Sequence, residues 1–212
     1  MDNKQKKRKK FKKNSMFVFV ILFVVFLIFL LPRIYDSYDS MHSKQKNDID
    51  KNKYVQKEQT LSEINYEAGM IFLDEEKYFL ALESFEKAVA KDPDNIDYLT
   101  QCALMNYRLK KYDQAIEAYK KIITINKNSA FSYNNIGNIY WIMKDYDEAE
   151  NNFKKAIEIN SNLISAYNNY ALMLDEKSQS IEAIEILQQG IKLNPENTEL
   201  RSTKRLIEVN NK

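Results

Sequence analysis

From Ser62 onward, small and large apolar residues alternate with polar ones on a fixed long period. Ala81, Ala115, Ala149 and Ala183 stand 34 residues apart, and each is followed four residues later by a large side chain: Phe85, Tyr119, Phe153 and Leu187. Twelve residues before each alanine comes another small residue, Gly69, Ala103, Gly137 or Ala171. Ala149, Phe153, Ala156 and Ile157 fall at i, i+4, i+7 and i+8, which is one stripe of an amphipathic helix. The stretch from Phe131 to Ala156 predicts two such helices with a tight turn at Lys144-Asp145. Gly137 lies inside the first, where glycine costs about 1 kcal/mol against alanine. Its place opposite Ala149 predicts close approach of two helices.

Tyr78, Tyr112 and Tyr146 mark the start of three second helices, with Ser180 in the fourth. Pro93 and Pro195 end the first and fourth units, while Lys127 and Ser161 occupy that place in the middle two. A helix pair of this kind leaves one apolar face uncovered, so neighbours must stack. The segment from Thr198 to Asn210 predicts a lid on the last pair, with Leu200, Leu206 and Ile207 inward and Arg201, Lys204 and Arg205 in water. Asn197 or Thr198 is its expected cap.

This pattern resembles the tetratricopeptide repeat, a helix–turn–helix unit of 34 residues. The units are 62–95, 96–129, 130–163 and 164–197, together 62–197, followed by a capping helix and tail at 198–212. The third matches best, through Tyr133, Ile136, Gly137, Tyr140, Ala149, Phe153 and Ala156. Asn65, Asn106, Ser180 and Gly190 depart from the pattern. The resemblance implies a right-handed superhelix with a concave groove lined by the first helix of each pair. On that basis the expected groove residues are Tyr66, Glu67, Gln101, Arg108, Asn134, Asn135, Asn138, Asn168 and Asn169. Gln101, Asn135 and Asn169 are 34 residues apart and would form an amide ladder. Amides both donate and accept, so such a row suits the backbone of an extended peptide. Asparagine is also a common polar filler in this chain. Arg108 is the one cation on the expected groove face, which argues against the several-cation clamp used for chaperone tails.

Ahead of the repeats, Met16 to Leu31 is an unbroken run of sixteen apolar residues. With its flanks, 14–34 reaches the ~30 Å of a bilayer core. No small-x-small cleavage site follows, so the run reads as an uncleaved signal anchor rather than a signal peptide. Residues 1–13 hold eight Lys/Arg and one Asp, a basic tail that keeps the N-terminus cytoplasmic. The polar stretch 35–61 reads as a tether, its last part extending the first packed helix from Asp48 onward. The expected fold is therefore all-α: an N-terminal transmembrane helix, an α-solenoid of four tetratricopeptide units and a C-terminal capping helix.

Composition narrows the chemistry. The net charge of +2 combines a +7 tip with a body of −5, which is not a nucleic-acid surface. One Cys and one His, Cys102 and His42, leave no route to a cysteine zinc site or an intrachain disulfide framework, and few ways to build any other metal site or a triad. Cys102 sits on an apolar stripe and reads as an inert thiol. Asp175-Glu176, adjacent at a helix end, read as solvated carboxylates, and Trp141 as either packed or a groove anchor. No phosphate loop, H-E-x-x-H or G-x-S-x-G occurs. The expectation is a non-enzymatic module without cofactor or metal. It would sit on the outer side of a bacterial plasma membrane and bind a protein or peptide in its groove. The alternative is a homo-oligomeric, self-associating scaffold of an envelope assembly.

Overall fold

The computed structural model describes residues 3–211; the side chains of residues 3–25, 27–29, 31, 32, 34, 58 and 59 lie outside that description. The expected basic tail 1–13 and nearly all of the apolar run in 14–34 fall on side chains outside it. Among the described residues, no helix is long and apolar enough to cross a membrane.

The described residues form nine helices and no strand: α1 (Asn3–Asp74), α2 (Tyr78–Lys91), α3 (Ile96–Arg108), α4 (Tyr112–Ile125), α5 (Ala130–Ile142), α6 (Tyr146–Ile159), α7 (Ile164–Glu176), α8 (Ser180–Leu193) and α9 (Thr198–Asn210). The chain divides into two compact units, Met1–Lys57 and Glu58–Lys212.

In the first unit the backbone is helical throughout its described length. The expected tether therefore carries helix well before Asp48. Between Tyr35 and Asp74 there is no proline and only Gly69, so nothing interrupts the ladder. The described side chains here are exposed and make short-range contacts, such as the Ser43 hydroxyl to the Asp39 carbonyl at 2.7 Å and the edge of His42 on Tyr38.

The second unit is an all-α repeat solenoid. Its first and second helices alternate: the end of α1 with α2, then α3 with α4, α5 with α6, and α7 with α8, closed by α9. The buried residues form three clusters that share Val89 and Tyr140, so the core runs without a gap along the stack. All four period-34 alanines are fully buried, as are Phe85, Tyr119, Phe153 and Leu187. Burying a ring such as Phe153 contributes about 1.5–3 kcal/mol.

Gly137 has the environment its position predicts, and more. A Cβ there would meet the Phe153 ring at 2.8 Å and the Ala149 carbonyl at 3.2 Å. The glycine thus admits an aromatic ring as well as a backbone. Gly69 receives Phe85 in the same way. Gly190 departs from the repeat pattern because it receives Leu200 of α9 and Tyr167 of α7.

The tight turns share one geometry. Glu76, Lys110, Lys144 and Ser178, spaced by 34, all have positive φ of 58–65°. Each turn closes with two bonds. In the third, Asp145 N–H donates to Tyr140 O at 2.9 Å and Lys144 N–H to Trp141 O at 3.0 Å. This is the Schellman arrangement, built without glycine. Between units, Asn126 and Asn160 replace proline punctuation with Asx turns, accepting from the N–H groups of Asn128 and Asn162 at 3.1 and 3.0 Å. Asn95, Ser129 and Asn197 cap α3, α5 and α9 through their side chains, whereas Leu163 leaves α7 without a side-chain cap.

Two expectations are corrected. On α9, Leu200 and Ile207 are buried but Leu206 is exposed. With 3.6 residues per turn, Leu206 lies about 100° from Ile207 and the two cannot face one contact. Asp175 and Glu176 are not simply solvated. Asp175 accepts from Ser180 Oγ at 2.7 Å and from Asn211 Nδ2 at 3.1 Å. Glu176 accepts from Trp141, Lys144 and Tyr146 of the preceding pair.

Candidate functional site

The first helices of successive pairs lie side by side, and their touching edges carry a row of polar residues. Asn169 of α7 donates its Nδ2–H to Asn134 Oδ1 of α5 at 3.2 Å. One repeat further on, Thr203 of α9 donates its hydroxyl to Asn168 Oδ1 at 2.7 Å. Both rungs join residue i to residue i+35. Asn134 is buried at 4% exposure, and it is an internal strut between pairs.

The equivalent rung between α3 and α5 would join Thr100 to Asn135. It is not made. The Thr100 hydroxyl donates instead to the Ile96 carbonyl at 2.7 Å. Asn135 Nδ2 is screened from solvent and has no hydrogen-bond partner. An amide left in that state costs about 1–3 kcal/mol. One unit earlier the corresponding residue is Tyr66, whose ring packs on Tyr98 at 5.0 Å and Phe85 at 5.6 Å.

The expected groove residues therefore separate into groups. Asn134, Asn168 and Asn169 are brought together as inter-repeat bonds. Tyr66 is half-buried in an aromatic cluster. Gln101, Asn135 and Asn138 are half-buried on α3 and α5, and Glu67 is exposed on α1. Arg108 is drawn toward α2, where Nη1 donates to the Tyr78 hydroxyl at 3.3 Å and the guanidinium lies 5.1 Å from the ring centroid. The amides expected to form a ladder are thus not equivalent: Asn169 has a partner and Asn135 has none.

A second polar cluster was not visible in the linear pattern. Trp141 Nε1–H donates to Glu176 Oε2 at 2.7 Å and Tyr146 OH to Oε1 at 2.9 Å, while Lys144 Nζ pairs with Oε1. Lys144 holds the Glu176 carboxyl below the usual carboxylate range, helped by Trp141 and Tyr146. Reciprocally, the carboxylate holds Lys144 above the usual lysine range. Glu150 of α6 is likewise lowered, by Lys154 first and Tyr170 next; Tyr170 OH donates to it at 3.0 Å from α7. Each carboxylate bridges two adjacent pairs. The only earlier hint was the offset of about 35 between Trp141 and Glu176, which means nothing until the stack is known.

Cys102 is buried, and burial pushes its thiol up to about 12, so it is not a nucleophile near neutral pH. Among the described residues there is no cluster of His, Cys, Asp and Glu that could hold a metal ion. An open cleft of about 560 Å³ lies at the loop edge between Asn128–Phe131 and Ile159–Leu163, with Phe131 exposed on it.

Comparison with known proteins agrees with this architecture. Family models described as tetratricopeptide repeat match residues 130–163 and 152–185, and one described as TPR repeat matches 104–144. No curated protein matches the chain. Among solved structures, the chain is similar to MamA, at 23% identity and TM-score 0.58 over 66% of this chain and 82% of that one. It is also similar to YrrB, described as a TPR protein with an unusual peptide-binding site, at 22% identity and TM-score 0.57 over 68% and 74%. A third is the first TPR of Spaghetti bound to an HSP90 peptide, at 21% identity and TM-score 0.52 over 57% and 95%. At these identities the likeness is one of fold. Residues 104–185 thus match tetratricopeptide-repeat family models, and the all-α stack with its 34-residue turn period agrees with that match.

Proposed function

We propose that the repeat unit is a non-enzymatic protein-interaction module that takes an extended peptide or protein segment along its first-helix face. The observation that carries this reading is the unpartnered Nδ2 of Asn135, beside half-buried Gln101 and Asn138. Turning the half-buried Asn135 side chain outward would let this donor, which the broken rung leaves unpartnered, meet a peptide carbonyl. The fold-level likeness to YrrB and to the peptide-bound Spaghetti domain supports a peptide as the class of ligand.

The apolar run in 14–34 and the eight cations ahead of it support a single-pass anchor that holds the repeat unit outside the cytoplasm. The module would then gather an exported or envelope protein near the membrane.

The test is photo-crosslinking in intact cells from a probe at Asn138, with a matched probe at exposed Glu148 as control. The reading expects an adduct from position 138 alone, lost in Asn135→Ala/Asn169→Ala chains that remain folded. Equal adducts from both probes, or adducts unaffected by the double substitution, would overturn the groove. Adducts confined to cytosolic proteins would overturn the topology.

A further inference from the structure

The two ends of the repeat stack carry complementary surfaces. At the head, α1 exposes Ile64 and Ile71, at 56% and 60%. Their repeat equivalents are all buried: Tyr98, Ser132 and Ala166 for the first position, Met105, Ile139 and Met173 for the second. Met105 packs with α2, Ile139 with α4 and Met173 with α6, so in each later pair the preceding second helix covers this face. The first pair has nothing before it among the described residues of its unit.

At the tail, α9 exposes Leu206 and Val209, at 55% and 62%. This helix stands where a fifth pair would begin, yet Arg201 and Arg205 occupy the positions of Tyr167 and Ala171, the residues that receive a second helix in the pair before. The seat for another helix of this chain is thus replaced by charge, beside an apolar strip.

The charges match in register. Glu63 and Glu67 stand eight and four residues before Ile71, and both are exposed. Arg201 and Arg205 stand eight and four residues before Val209, and both are exposed. Each end is therefore a helix with two like charges one turn apart, flanking an apolar strip, with acid at the head and base at the tail. Residues four apart lie on one helical face.

We infer that the tail of one copy docks on the head of a second copy, α9 against α1, through Leu206 and Val209 on Ile64 and Ile71, with Arg201 and Arg205 facing Glu63 and Glu67. The two surfaces differ, so the contact is heterologous and propagates into a chain of molecules rather than closing as a dimer. It uses no residue of the proposed peptide face, and its failure would leave that reading untouched.

The test is a charge swap in the full chain, read by sedimentation in detergent. The wild type is expected to grow beyond a dimer with concentration, and to lose this at high salt. Arg201→Glu/Arg205→Glu and Glu63→Arg/Glu67→Arg chains should each stay monomeric at the concentrations where wild type associates. Their equimolar mixture should associate again. All four positions are exposed, and unchanged helical circular dichroism establishes that the variants fold. Separately, Ile71→Cys/Val209→Cys, the pair that this register sets opposite each other, should give a ladder of disulfide-linked species on oxidation, native Cys102 being buried. A monomeric wild type, a closed dimer, association of either charge variant alone at wild-type strength, or a mixture that stays monomeric would overturn the proposal. Cross-linking of Ile71→Cys alone as efficiently as the pair would overturn it in favour of a head-to-head contact.

Discussion

Trp141 Nε1–H donates to Glu176 Oε2 at 2.7 Å, across 35 residues of sequence and from one helix pair to the next. The carboxylate also takes Tyr146 and Lys144, so a single acidic side chain joins α5, the following turn and α6 to the end of α7. Trp141 is thereby half-buried and committed to the stack.

This cluster gives the protein an acid-sensitive joint. Glu176 titrates below its unfolded value of about 4.3. Its contribution is present above that value and is lost as pH falls through the folded one, because the unfolded state then binds more protons. Glu150 acts in the same direction. Glu176→Gln is expected to flatten the fall in thermal midpoint on acidification below about pH 5. At neutral pH its effect on stability should be small, since the pair is largely exposed. Thermal melts across a pH series check both; an unchanged acid limb would show the carboxylate to be uncoupled.

Gly137→Ala tests the ring pocket by its sign. Helix propensity alone favours alanine by about 1 kcal/mol. The added Cβ would stand 2.8 Å from the buried Phe153 ring, and such overpacking costs about 1–3 kcal/mol. The expected outcome is a net loss of about 1 kcal/mol in urea unfolding. A stabilised variant would mean that the ring yields freely.

Lys110 holds positive φ with an exposed side chain, a conformation that costs about 1–2 kcal/mol for residues with a Cβ. Lys110→Gly should raise stability by up to about 1 kcal/mol, whereas Lys110→Val should lower it, β-branching being worse still there. Chemical denaturation of the two variants side by side reads the difference.

Asn134 and Asn135 are neighbours with opposite expectations. Asn134→Ala removes the acceptor of a buried rung and should destabilise by about 1–2 kcal/mol. Asn135→Ala removes a donor that has no partner, and folding stability should hold or rise. Peptide capture, in contrast, should weaken with Asn135→Ala. Equal losses of stability from both would show that Asn135 is bonded in solution.

Much of the stack was readable one residue at a time. The 34-residue period placed Ala149 and Phe153 in the core, because a helical stripe can face only one way once its neighbours must cover it. Tyr78, Tyr112 and Tyr146 do begin helices, and Asn197 does cap α9. Composition, with one Cys and one His, leaves no cysteine zinc site and no intrachain disulfide framework. It also singled out the apolar run at 14–34, whose reading still rests on sequence.

Which polar residues are free was decided by the tertiary structure alone. Asn134, Asn135, Asn168 and Asn169 are one residue type at repeating positions, and nothing local distinguishes them. Their fates follow from what stands 35 residues away: an asparagine, a threonine, or a Thr100 hydroxyl already committed to its own helix. Leu206 likewise belongs to the stripe of α9 by type, but the angle between it and Ile207 turns it to solvent. Hydrophobic period is a property of one helix and survives in the sequence. Hydrogen-bond satisfaction and end-surface exposure depend on which helix lies alongside, and exist only once the pairs have stacked.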